Sequence, residues 1–197
     1  MKFLRQFVSS PITTGSITSS SRYLARAIIK DLDLASANSV LEYGPGTGSF
    51  TELILSELGP DTKFAAIELN PNFAKEFEFR YPHVRLFRDS VSNVRRICEI
   101  AGIESVDCIV SGLPWALFPE NIQAELLRET LRVMTPDARF ATFSYVHSLA
   151  LAGSKRFTTH LTRNFESVSK SPIVWRNLPP AFVYRCRRPR RNRVTMS

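Results

Sequence analysis

The chain has 197 residues, 44% hydrophobic and 22% charged, a composition that suits one folded domain with a single core and excludes disordered or low-complexity chains. No apolar stretch reaches the roughly 18 to 20 residues of a spanning helix, and three scattered cysteines (Cys98, Cys108, Cys186) offer neither a disulfide framework nor a metal-ligand spacing, so a reducing cytoplasm is expected. The net charge of +8 falls entirely within residues 167–197, where Lys170, Arg176, Arg185, Arg187, Arg188, Arg190, Arg191 and Arg193 meet no Asp or Glu; a neutral body with a basic end points to nucleic acid or anionic lipid as partner, or to solubility alone.

In chain order, Phe3, Leu4, Phe7 and Val8 share a face beside Lys2 and Arg5, which predicts a short amphipathic helix and not a secretory signal. Ser20 or Ser21 can cap a second helix carrying Leu24, Ala27, Ile28 and Ile29. From Ser39, β-rich runs at 40–43, 63–67, 84–87, 107–110 and 139–144 alternate with helical patterns at 50–58, 72–79, 91–101 and 119–134, so a mostly parallel sheet covered on both faces is expected. Two closing runs, 168–174 and 181–187, lie too close together for a helix between them and predict an antiparallel hairpin at one edge.

The first of these strands runs into Glu42-Tyr43-Gly44-Pro45-Gly46-Thr47-Gly48 and then a helix, the arrangement at which a doubly wound sheet receives a nucleotide. Glu68 and Leu69 end the second strand, where a carboxylate can accept two ribose hydroxyls; Asp89 and Ser90 follow the third, within reach of an adenine. Ser111-Gly112-Leu113-Pro114-Trp115 follows the fourth, at the edge where reacting atoms should meet. No Lys follows the glycines, which excludes a P-loop, and Gly-x-Gly-x-Gly is not the dinucleotide spacing. Tyr145 and His147 follow the fifth strand and are candidate proton acceptors. Trp115, Phe118 and Tyr145 are candidates to surround a cation.

Residues 39–145 resemble the class I S-adenosylmethionine-dependent methyltransferases, which implies a Rossmann-like seven-stranded sheet and S-adenosylmethionine over Gly44, Gly46 and Gly48. The resemblance implies that Glu42 positions the methionine amino group of that cofactor, with Glu68, Leu69, Asp89, Ser90 and Ser111 completing its site and no metal. Ribosomal RNA adenine dimethyltransferases carry Asn-Leu-Pro-Tyr where this chain has Gly112-Leu113-Pro114-Trp115; losing the Asn acceptor lowers the case for a planar base amine. The chain is more similar to the bacterial phospholipid N-methyltransferases, on Phe3-Leu4-Arg5-Gln6-Phe7, on residues 15–25, on Ser111 to Trp115 and on Asn177-Leu178-Pro179-Pro180-Ala181-Phe182-Val183-Tyr184.

That resemblance implies methylation of phosphatidylethanolamine towards phosphatidylcholine, with Leu113, Pro114 and Trp115 on the substrate side. It also implies peripheral association with the inner face of the membrane. The expected division is a lead-in at 1–34 touching membrane, a methyltransferase domain at 35–187 and a basic tail at 188–197. Helix 3–8 and the arginines are the expected anchors to the phospholipid headgroups of an anionic surface. Nucleic acid is the disfavoured partner. The alternatives are an RNA adenine N-methyltransferase and a non-catalytic RNA- or membrane-binding module.

Overall fold

The structure is a computed structural model that describes residues 21–190. The expected helix at 3–8, the motifs before Ser21, and Arg191 and Arg193 lie outside the described residues.

Ser21 is the cap of the first helix: its Oγ accepts the Leu24 N–H at 3.2 Å at the start of α1 (Arg22–Ile29). The alternating elements follow as β1 (Ser39–Tyr43), α2 (Thr51–Glu57), β2 (Lys63–Ile67), α3 (Pro71–Arg80), β3 (Arg85–Phe87), α4 (Val94–Ala101), β4 (Val106–Ser111), α5 (Glu120–Val133) and β5 (Met134–Tyr145). Asn70 caps α3 with Pro71 in its first turn, and Gly102 ends α4 in the left-handed region that a Cβ disfavours. Then come α6 (Ala152–Asn164), β6 (Phe165–Lys170) and β7 (Ala181–Pro189).

The seven strands lie in the order β3-β2-β1-β4-β5-β7-β6. The pairs β1–β2, β1–β4, β2–β3 and β4–β5 are parallel, whereas β7 runs antiparallel to both β5 and β6. The expected Rossmann-like sheet with a closing antiparallel hairpin is therefore present, with β6 outermost.

The two-residue period of a strand sorts the side chains between two cores. On one face Leu41, Tyr43, Ile109 and Phe140 pack with residues of α4, α5 and α6. On the other, Val40, Cys108, Val110, Ala141 and Val183 pack with Leu24 and Ile28 of α1 and Ile54 of α2. Helix α1 is thus part of the core and not a separate lead-in, and the boundary expected after residue 187 falls inside β7.

The arginines expected to form a basic tail have structural partners. Arg185 donates to the carbonyls of Ala27 at 2.8 Å and Lys30 at 3.2 Å, satisfying the end of α1; Arg187 donates to Asp31 O. Arg188 pairs with Asp137 at 3.2 Å, and Arg190 donates to Phe165 O. Because β7 is antiparallel, its nine residues carry these groups away from the carboxyl edge of the sheet, by about 27 Å at the far end. None of the described helices is long and apolar enough to cross a membrane.

Candidate active site

Four loops meet where β1, β2, β3 and β4 end. Gly44, Gly46 and Gly48 all have positive φ, which lets the chain after β1 turn sharply. The Gly44 N–H donates to Ile67 O at 2.8 Å and the Gly112 N–H to Tyr43 O at 2.7 Å, so the loops after β1 and β4 are locked to the neighbouring strands. Helix α3 braces the glycine loop from outside: Arg80 donates to Thr47 O at 2.6 Å and the Tyr81 hydroxyl to Gly48 O at 3.2 Å.

These loops border a cleft lined by Gly44, Glu68, Leu69, Asp89, Ser90, Leu113 and Pro114, with Val91 and Phe118 from the α4–α5 side. Eight sequence-identified residues, Phe118 among them, therefore line one cleft. Glu68 is buried, accepting the Gly46 N–H at 3.1 Å and the Asn70 N–H at 2.8 Å. Burial pushes its carboxyl above the ordinary range, and those backbone donors oppose the shift. For Asp89, burial is outweighed by hydrogen bonds from Asn93, the Ser90 N–H and Arg96, which hold its carboxyl below the usual value.

Glu42, near the end of β1, has no exposed surface and is not itself among the cleft-lining residues. Its Oε2 accepts the Thr51 hydroxyl at 2.7 Å, while Oε1 is buried without a partner. Burial pushes its pKa up to about 8; Thr51 opposes the shift and Glu68 adds to it. A buried carboxyl oxygen lacking a donor, two residues before a glycine loop and within electrostatic reach of a second acid, suits a ligand that brings an ammonium and ribose hydroxyls. The residues present fit the cofactor that the sequence resemblance implies. No group of three or more potential metal ligands occurs among the described residues.

Four expected contacts are placed differently. Trp115 is only 2% exposed, stacked on Phe157 of α6 at 4.7 Å between ring centres, and its indole N–H donates to Ser111 Oγ at 3.0 Å. It is a core side chain, and so neither Trp115 nor the fully buried Ser111 presents its polar group to the cleft. Tyr145 shares the face of Ala141 and Phe143, opposite Phe140, and packs edge-on to Phe143 and flat on His147. Neither Tyr145 nor His147 is among the cleft-lining residues.

Gly112 explains its own residue type. A Cβ there would sit 2.5 Å from Gly44 O and 3.4 Å from Tyr43 O, both backbone atoms that cannot swing away. No asparagine fits at this position with the backbone as it stands.

Gln123, absent from the sequence reading, is fully buried on α5, and the two N–H groups of its Nε2 are shared among the carbonyls of Trp115 at 2.7 Å, Gly153 at 3.0 Å and Phe118 at 3.2 Å. It fastens the loop after β4 to the start of α6. A Gln flanked by Ile122 and Leu126 in an amphipathic helix gave the only signal.

No family model matches the chain. It is 31% identical over 188 residues to the ornithine lipid N-methyltransferase of Singulisphaera acidiphila, covering 94% of each chain. Among solved structures it is similar to an O-methyltransferase from Bacillus cereus in complex with SAH (TM-score 0.69, 13% identity, 95% of this chain and 91% of that one). It also resembles TrmN from Thermus thermophilus (TM-score 0.66, 18% identity), covering 84% of this chain and 48% of that longer one. At these identities the two structures establish the fold.

Proposed function

Since the chain belongs to the S-adenosylmethionine-dependent N-methyltransferases, in the family of the ornithine lipid enzyme, we propose that it methylates the primary amine of phosphatidylethanolamine at a membrane surface, towards phosphatidylcholine. The observation that carries a lipid acceptor is likeness to a lipid N-methyltransferase along nearly the whole chain. The backbone contact at Gly112 supports it, because the carboxamide that would hold a planar base amine has no room.

When bound, S-adenosylmethionine supplies a methyl group on a positively charged sulfur. Glu68 keeps lone pairs free that would take ribose hydroxyls after accepting two backbone N–H groups, and Leu69, Asp89 and Ser90, on the same cleft, would flank the adenine. Glu42 Oε1, buried without a partner, would take the amino group of the methionine portion beside the glycine loop. Leu113 and Pro114 face the acceptor, held in place by the Ser111–Trp115 hydrogen bond and by Gln123. Alignment and exclusion of water are then the main catalytic contributions of the chain. A proton-accepting role for His147 requires the amine to arrive over the end of β5; unchanged turnover in His147→Gln across pH 6 to 9 removes it.

The ornithine lipid amine is the second reading, favoured by the relative's own substrate. Labelled S-adenosylmethionine offered with phosphatidylethanolamine vesicles, ornithine lipid vesicles or deproteinised ribosomal RNA separates the cases. Label in phosphatidylethanolamine is expected. Label in ornithine lipid alone selects the second reading, and label in N6-methylated adenine overturns both.

A further inference from the structure

Resting on the lipid reading, we propose that the loop joining β6 to β7 is the element that inserts into the membrane interface, with Trp175 and Leu178 as its anchors. The ten residues 171–180 leave and re-enter the sheet at its carboxyl edge, because Lys170 pairs with Tyr184 and Tyr145 with Ala181. The loop therefore shares an edge with the cleft. It exposes 68% of Trp175 and 76% of Leu178, with Ile173 beside them.

The neighbouring turn after β5 is tied to it by the Val146 N–H donating to Pro180 O at 2.9 Å, and contributes exposed Leu149 and Leu151. Large apolar side chains this exposed, gathered on loops of one edge, are a surface with an occupant.

Charge identifies the occupant. Segments 112–119, 146–151 and 171–180 contain no Asp or Glu, whereas Arg176 stands in the last of them. An indole and aliphatic side chains beside an arginine, on segments without a carboxylate, match the boundary between anionic headgroups and acyl chains. The loop is also held in shape. Asn177 is buried, its Oδ1 accepting the Ser21 N–H at 2.9 Å and its Nδ2 donating to Pro179 O at 2.7 Å. Arg176 lies over the Tyr23 ring at 4.9 Å and donates to its hydroxyl at 2.7 Å. Anchors on a fixed loop would orient the cleft towards the headgroup layer and not merely hold the protein near it.

The chain has two tryptophans, and Trp115 is buried, so surface quenching reads Trp175. On vesicles of phosphatidylethanolamine and phosphatidylglycerol with brominated acyl chains, the Trp175 emission should shift to the blue and be quenched. The W175A/L178A double variant should bind those vesicles roughly tenfold or more weakly while methylating lipid dispersed in detergent micelles as the parent does. Vesicle binding equal to the parent's overturns the docking loop alone. So does a Trp175 already shielded from acrylamide without vesicles, which would mean that residues 1–20 or a second copy of the chain cover it. A parent that methylates no lipid even in micelles overturns the substrate reading and this proposal with it.

Discussion

At its carboxyl edge the sheet carries glycines with positive φ, an unpartnered buried carboxylate oxygen and, at 112–119, 146–151 and 171–180, loops free of acidic residues. At the other end of β7 it carries arginines with carbonyl or carboxylate partners. In sequence the second edge is the conspicuous one, a run of positive charge suited to a polyanion. In the fold Arg185 is a helix-end donor. The difference teaches that a charged residue near the end of a strand is read correctly only when the strand's direction and its neighbours are known. Each edge can be broken separately.

The largest effect is expected at Gly112. Placing Asn there forces backbone apart at Gly44 O and displaces the loops after β1 and β4 relative to each other. A shift of the reacting groups by about 1 Å is enough to lower turnover about 100-fold. Methyl transfer to lipid micelles measures it, with circular dichroism confirming the fold. Turnover near the parent's would show that the backbone yields here, and the steric argument against a base substrate would fall.

Next is Glu68→Ala, which removes the acceptor of the Gly46 and Asn70 N–H groups together with the proposed ribose contact. A loss of roughly 1.5 to 3 kcal/mol in S-adenosylhomocysteine affinity is expected by calorimetric titration. Equal affinity removes Glu68 from the site.

Glu42 sharpens the same edge through pH. Its folded pKa of about 8 exceeds the ordinary 4.5, so the folded state holds the proton more tightly than the unfolded state between those values. Stability contributed by this group is therefore full below pH 4.5 and falls as pH rises towards 8. Relative to the parent, Glu42→Gln should gain roughly 1 kcal/mol or more on going from pH 5 to pH 8, read by thermal unfolding. In the parent, an ammonium at Oε1 favours the carboxylate, so S-adenosylhomocysteine binding near pH 7 should release a proton, and in Glu42→Gln it should not. Calorimetry in buffers of different ionisation enthalpy detects the difference.

Much of this edge was legible in the chain. The alternation of β-rich and helical runs, the Ser21 cap, the glycine loop, and Glu68 and Asp89 at strand ends are local patterns that tertiary structure did not override. The side chains that brace them were not, because Arg80, Tyr81 and Gln123 reach across many residues to backbone carbonyls, and any exposed helix carries similar groups. Trp115 was misplaced because its stacking partner, Phe157, arrives from α6. The facing of Tyr145 was readable after all: it lies two residues from Phe143 and four from Ala141, and the period of two puts all three on the α1 face.

The smallest effects test the opposite edge. Arg185 has a side chain only 14% exposed and satisfies two carbonyls at the end of α1, so Arg185→Ala should destabilise by about 1 to 3 kcal/mol through carbonyls left without a donor. Arg188 and Asp137 are 65% and 85% exposed, and an ion pair in water contributes about 0 to 1 kcal/mol, so Arg188→Ala should hardly move the denaturant midpoint. Neither substitution should change binding to anionic vesicles if the carboxyl edge faces the membrane. A loss of vesicle affinity in Arg188→Ala, with stability unchanged, would mean that an exposed arginine far from the cleft meets lipid. The membrane would then have to reach both ends of β7, which a rigid sheet standing on its carboxyl edge does not permit.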